Sequence, residues 1–260
     1  MPEAILNGHK HYWEEGGSGE PLIMIHGAAS SSASLLPHLP ALAKDFRVLM
    51  VDLRGMGRSS HEASLPRNWV ADVKALIEHI GVGQAHVYGS SLGSRVALRT
   101  AIDHPAAVKS LILDHPIIAV EGETSQRLSR GLNMAAVNEQ RAKVYREQHG
   151  EDWERVVQQY FDNRLLPDFQ EFLNLRESSK SVTHPTLIIR GDRPDPGHPL
   201  GHCFELAQNI KDAWLWIRPN TDVRVMNAAP EETYALIRRL AAHACGQTEA
   251  PAAAAFAHAV

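Results

Sequence analysis

A short apolar run, His86 to Tyr88, leads into Gly89-Ser90-Ser91-Leu92-Gly93, and a helical pattern from Arg95 to Asp103 follows. Strand, sharp turn and helix is the setting in which a G-x-S-x-G turn presents its central serine for attack on a carbonyl. The flanking glycines have a physical purpose, since a Cβ at either one crowds the turn, and the helix N-terminus beneath adds partial positive charge. Ser91 is therefore the candidate nucleophile, against the plainer reading of a Gly/Ser-rich strand-to-helix connection. A serine hydroxyl is weak until a neighbour takes its proton, and the oxyanion it creates needs donors. His26-Gly27-Ala28-Ala29-Ser30 directly follows the apolar run Leu22 to Ile25, which makes the backbone N–H groups of Ala28 and Leu92 the candidate oxyanion hole.

Two other chemistries are weaker. His198 and His202 are four apart, with Cys203 adjacent and Asp195 close by, a set that raises metal binding. Pro199 and Gly201 argue against a regular helix that would align the pair, and no further ligand has diagnostic spacing, so no metal is expected. Gly55-x-Gly57 hints at a dinucleotide loop, but Ser60 stands where a third glycine belongs and the serine turn comes one strand later, so no cofactor is expected either.

The elements that must position Ser91 are legible from period and punctuation. Asn7-Gly8 between two extended segments predicts a hairpin. Apolar runs too short for helices follow at Leu22 to Ile25, Val48 to Val51, His86 to Tyr88, Val108 to Leu113, Thr186 to Ile189 and Trp214 to Ile217. Their near-continuous apolar character suits strands buried on both faces. Helical patterns lie between them, around Leu36 to Ala43, Val70 to Ile80, Arg95 to Asp103, Phe204 to Asn209 and Glu231 to His243. Alternation of this kind predicts an α/β fold, a mostly parallel doubly wound sheet with flanking helices. It fails between Pro116 and Val182, where charged, helix-prone sequence predicts a helical insertion over one sheet edge. Met134 and Trp153 there read as packing residues.

The chain of 260 residues is expected to form one domain, with a core over 1–115 and 183–245, a helical cap over 116–182 and a disordered tail over 246–260. Hydrophobic residues at 44% supply a sizeable core, and a net charge of −4 removes any general attraction to nucleic acid or anionic membranes. Cys203 and Cys245 cannot build a disulfide framework, and no apolar stretch approaches a membrane span. The expectation is a cytoplasmic protein acting on a small molecule.

The Ser91 turn, the His26 to Ser30 segment and Asp52-Leu53-Arg54-Gly55-Met56-Gly57-Arg58-Ser59 together closely resemble the α/β-hydrolase superfamily. The resemblance spans nearly the whole chain and implies a capped serine hydrolase. The family acid follows the strand after the cap in a pattern similar to G-D-x-D-P. This chain reads Gly191-Asp192-Arg193-Pro194-Asp195-Pro196, one residue longer, so the resemblance implies Asp195 with a displaced geometry, and Asp192 as the fallback. A cap for the helix beginning near Leu200 is the structural alternative for either.

The family histidine is missing. Where members carry a stretch similar to P-N-A-G-H before A-P-E-E, this chain has Pro219-Asn220-Thr221-Asp222-Val223 and then Ala229-Pro230-Glu231-Glu232, which places Val223 at the histidine. No histidine lies between Trp214 and Arg239. His198, three residues after Asp195 where the family often places a pocket-lining side chain, is the first candidate for a relocated base, and His115 at the strand end before the cap is the second. His26, His115 and Val223 are pocket candidates, although a structural role is favoured for His26. Three readings follow: a serine hydrolase of small esters, lactones or related carbonyl compounds with an atypical base; a non-hydrolytic small-molecule receptor; and a cofactor-free lyase. An enzyme is favoured because both the serine turn and the oxyanion segment are retained, and the hydrolase is ranked above the lyase only by its frequency in the family that the chain resembles.

Overall fold

The computed structural model describes residues 2–248. Eight strands form one sheet: β1 (Glu3–Leu6), β2 (His9–Gly16), β3 (Glu20–Ile25), β4 (Phe46–Val51), β5 (Ala85–Ser90), β6 (Val108–Asp114), β7 (Thr186–Gly191) and β8 (Ala213–Arg218). The order is β1-β2-β4-β3-β5-β6-β7-β8. β1 pairs with β2, and β2 with β4, in antiparallel fashion, while every pairing from β4 to β8 is parallel. The Asn7-Gly8 turn carries positive φ at both residues, as a tight hairpin requires.

Alternation along the strands divides the core. Ile23, Val87, Leu111 and Ile188 pack on one face with residues of α2 (Pro66–His79), α3 (Leu92–Asp103) and α8 (Leu200–Asn209). Leu22, Met24, Val48 and Leu187 pack on the other with residues of α1 (Leu39–Leu42), α9 (Val225–Ala228) and α10 (Pro230–Ala244). Both faces are covered, so the central strands read as continuous apolar runs.

The single helix expected over Leu36 to Ala43 is instead a 3-10 turn at 36–38 followed by the four-residue α1. Pro37 and Pro40, each in the first positions of one piece, remove the N–H groups that a continuous helix needs.

Between β6 and β7 lie α4 (Gly122–Gly131), α5 (Glu139–His149), α6 (Trp153–Asn163) and α7 (Pro167–Phe172). This insertion shares the core of the sheet. Trp153 is buried and stacks on Tyr145 with centroids 6.1 Å apart, and Trp69 of α2 meets Phe169 of α7 edge-on at 5.7 Å. Buried Arg95 of α3 donates twice to Leu173 O, at 3.1 and 2.6 Å, pinning the end of the insertion to the helix that carries the serine turn. The tail expected over 246–260 lies outside the described residues from 249 onward. Among the described residues no helix is long and apolar enough to cross a membrane.

Candidate active site

β5 ends in the turn that carries Ser91, whose φ of 53° and ψ of −110° depart from both helix and strand. A non-glycine residue held there stores strain, which persists only where surrounding packing over-determines it. That packing is visible at the two glycines. A Cβ on Gly89 would lie 2.1 Å from Gly93 O, and one on Gly93 would lie 2.3 Å from Ile25 O, so α3 sits against the turn and β3 at a distance only glycine allows.

Ser91 Oγ lies 2.9 Å from His198 Nε2, and His198 Nδ1 lies 3.2 Å from Asp195 Oδ2. A carboxylate can only accept, so Nδ1 carries the imidazole hydrogen and Nε2 presents its lone pair to the Ser91 hydroxyl. The two side chains share one turn: His198 N donates to Asp195 O at 3.0 Å, and Gly197 N donates to Asp195 Oδ1 at 2.7 Å. The Asp195 carboxyl is held well below the usual carboxylate range, chiefly by the His198 hydrogen bond, with the Gly197 N–H and the charges of His198 and Arg127 adding to it. Burial pushes the His198 imidazole below its ordinary value, opposed by Asp195 and reinforced by nearby His115.

Arg190, at the end of β7 and almost wholly buried, fixes this turn in space. Its guanidinium donates to His198 O at 2.9 and 2.6 Å, to Arg193 O at 2.9 Å and to Gly191 O. Nothing in the sequence singled it out, because a strand arginine looks like an edge residue until the loop folds back on it. Arg190→Lys keeps a charge but loses the fork that reaches several carbonyls at once. Orphaned carbonyls then cost about 1–3 kcal/mol each. The expected result in urea unfolding is a loss of about 2–4 kcal/mol with a parallel fall in activity; unchanged stability and activity would show that the turn holds itself.

Asp192, the alternative acid, has no histidine partner and instead accepts from Thr221 N at 3.2 Å. Val223 lines the cavity over Ser91, on the segment after β8. That segment closes against Gly191, where a Cβ would lie 2.1 Å from Asp222 O.

His115 also lines the cavity, but its Nε2 faces Ser90 Oγ at 3.4 Å. Its Nδ1 lies 3.1 Å from Asp114 Oδ1, and Asp114 Oδ2 accepts from Tyr88 at 2.8 Å. The His115 ring meets the His198 ring edge-on at 4.9 Å.

His26, a pocket candidate for which a structural role is favoured, does not line the pocket: it is fully buried and absent from the cavity wall. Its Nδ1 donates to Gly27 O at 2.8 Å and its Nε2 accepts from Leu53 N at 3.1 Å, a brace between the two loops that follow β3 and β4. A second brace, unmarked in the sequence, is His149 at the end of α5. It accepts from Gly57 N at 2.9 Å and donates to Ala29 O at 3.3 Å, with burial pushing it down to about 4. Ala28 lines the cavity beside Ser91, and Leu92 opens α3, where the first N–H groups lack intrahelical acceptors.

The cavity holds about 670 Å³. Cap side chains complete it, among them Arg127, Arg141, Tyr145 and Gln148. These also escaped the sequence reading, since amphipathic period shows which face is apolar but not what the polar face overlooks.

Among the described residues His198, His202 and Cys203 do not come together as a set of donor atoms, and burial pushes the Cys203 thiol up to about 12. Among the described residues, Glu20, His86 and Cys245 bring three donor atoms within 4.8 Å of one another. They lie by the opposite ends of the strands from Ser91, and Lys109 already places its ammonium 2.7 Å from Glu20.

Known proteins resemble this chain to different degrees. A proline iminopeptidase from Neisseria gonorrhoeae is 34% identical over 164 residues, covering 60% of this chain and 48% of its own. A soluble epoxide hydrolase from Corynebacterium sp. (strain C12) is 34% identical over 113 residues, covering 43% of this chain and 40% of its own. The matches thus span about half or less of these relatives. The structure of a meta-cleavage product hydrolase from Pseudomonas fluorescens IP01 superposes with a TM-score of 0.71 over 94% of this chain and 98% of that one, at 19% identity. A family model described as the alpha/beta hydrolase fold matches residues 20–218. The chain belongs to the alpha/beta hydrolase family.

Proposed function

We propose that the protein is a serine hydrolase of small esters, lactones or related carbonyl compounds, working with a histidine moved onto the loop of its acid. The supporting observation is the continuous path Ser91 Oγ to His198 Nε2 at 2.9 Å and His198 Nδ1 to Asp195 at 3.2 Å. The relative named a soluble epoxide hydrolase agrees with the hydrolase class of this reading.

Ser91 Oγ attacks the carbonyl carbon as its proton passes to His198 Nε2. The oxyanion takes hydrogen bonds from Ala28 and Leu92 N–H, and collapse expels the leaving group with the proton returned by His198. Water then attacks the acyl-serine, His198 again accepting the proton and Ser91 leaving with it. Asp195 holds the tautomer and stabilises the imidazolium. The receptor reading drew on a missing proton acceptor, and with His198 against Ser91 no observation favours it.

An activated phosphonate followed by mass spectrometry tests the nucleophile. The expected adduct is on Ser91 alone; an adduct elsewhere, or none under forcing conditions, overturns the assignment.

The base must be neutral to accept a proton, so activity falls as pH drops through its pKa. Because the folded value lies below the ordinary 6.5, kcat/KM is expected to be flat through neutrality and to fall with a midpoint below 6.5. A midpoint at or above that value contradicts His198 as the base in this environment.

A further inference from the structure

The charge of the cavity opposes that of the chain. The protein carries −4 overall, yet three arginines, Arg127, Arg141 and Arg224, face the space above Ser91. Among the described residues, the only carboxylates in the wall are Asp114 and Asp195, and both are occupied, the first by Tyr88 and His115 and the second by Gly197 and His198.

The arginines are not equivalent. Arg141 spends its guanidinium on Gly131 O at 3.0 Å, Ala136 O at 3.2 Å and the Tyr145 hydroxyl at 2.9 Å, which ties α5 to the segment after α4. Arg127 of α4 and Arg224, between β8 and α9, are exposed, and the guanidinium of neither makes a hydrogen bond or ion pair with another described residue. Even Asp222, two residues from Arg224, pairs with Arg193 at 3.5 Å. An unpaired arginine on an open surface asks for no explanation. Two that line one cavity from separate elements, where no acid is free to answer them, create a field selective for anions.

We propose that the substrate carries a carboxylate apart from its scissile carbonyl, and that Arg127 and Arg224 receive it. The inference rests on Ser91 as nucleophile and deepens that reading by naming the substrate class. A planar guanidinium matches a carboxylate in charge and in the spacing of its donors.

Arg127 has a plainer role to be separated from this one. Its stem passes over Gly197, where a Cβ would lie 3.5 Å from Arg127 Cγ, and its charge is felt at Asp195. Acting through Asp195 it would change kcat for every substrate alike. Acting on the substrate it changes the preference between charged and neutral ones, mainly through KM.

The test compares p-nitrophenyl adipate, a monoanion, with its neutral methyl ester. Wild type is expected to favour the anion in kcat/KM by about tenfold at low ionic strength, with the preference shrinking as salt rises. Arg127→Gln and Arg224→Gln are each expected to cut the ratio of the two kcat/KM values by about threefold to tenfold, chiefly by raising KM for the anion. Turnover of both esters without preference overturns the proposal and leaves the hydrolase reading standing, as does an Arg127→Gln loss equal for both esters with Arg224→Gln silent. If neither ester is turned over, the hydrolase reading fails, and calorimetric titration with adipate decides the anion site: binding lost in the double glutamine variant supports it, and no binding to wild type overturns it.

Discussion

Replacing His198 with alanine is expected to lower kcat/KM for an activated neutral ester by about 100-fold to 10,000-fold, the usual contribution of a positioned general base. That range corresponds to about 2.7–5.4 kcal/mol of transition-state stabilisation. The fold should survive, because the turn is anchored by the His198 carbonyl, which Arg190 holds at 2.9 and 2.6 Å and which alanine retains. His115→Ala should change the rate far less, since His115 Nε2 faces Ser90 Oγ and not Ser91. Steady-state kinetics on the two variants, with circular dichroism to verify folding, separates them. Equal activity in wild type and His198→Ala would remove His198 from the mechanism, and a larger loss in His115→Ala would transfer the role to it.

How far the site was legible from sequence depends on how local each interaction is. Ser91 is defined by residues within two positions of it, and the steric demand at Gly89 and Gly93 is written in the same five letters. Asp195 and His198 are three apart, so one turn joins them and their partnership could be anticipated despite the extra residue in the acid loop. The position matched to the family histidine instead holds Val223, which faces the cavity but can move no proton. By contrast Arg190 acts on a loop that folds back over its strand, and His149 joins the insertion to Gly57 and Ala29, 92 and 120 residues away in the chain. Such contacts have no sequence period. The strands were legible for the opposite reason: with helices on both faces, the central strands are apolar over most of their length. His26 sits at a strand end where a pocket residue and a buried brace look alike in sequence, and only its two backbone partners tell them apart.

Asp195→Asn is expected to be as damaging as the loss of His198 although it preserves shape almost perfectly. The orientation of the new amide is dictated by Gly197, whose N–H already points at one carboxylate oxygen from 2.7 Å. An amide can satisfy that donor only with its oxygen, which turns the NH2 toward His198 Nδ1. The imidazole must then accept at Nδ1 and carry its hydrogen on Nε2, directed at Ser91 Oγ, where a lone pair is needed. The nucleophile meets a donor where it requires an acceptor, and the imidazolium formed during attack loses the carboxylate that stabilises it. A loss of about 10,000-fold in kcat is the scale seen when a triad aspartate is changed this way elsewhere, with geometry intact. Asp195→Ala removes the carboxylate without imposing the wrong tautomer, so it should retain at least as much activity as Asp195→Asn, even though it sacrifices the Gly197 hydrogen bond and some stability of the turn. Kinetics on both variants, paired with the phosphonate label on Ser91, checks this ordering. If Asp195→Asn retains near wild-type turnover, or clearly exceeds Asp195→Ala, then Asp195 does not set the tautomer of His198, and its nearness to the imidazole reflects only the turn they share.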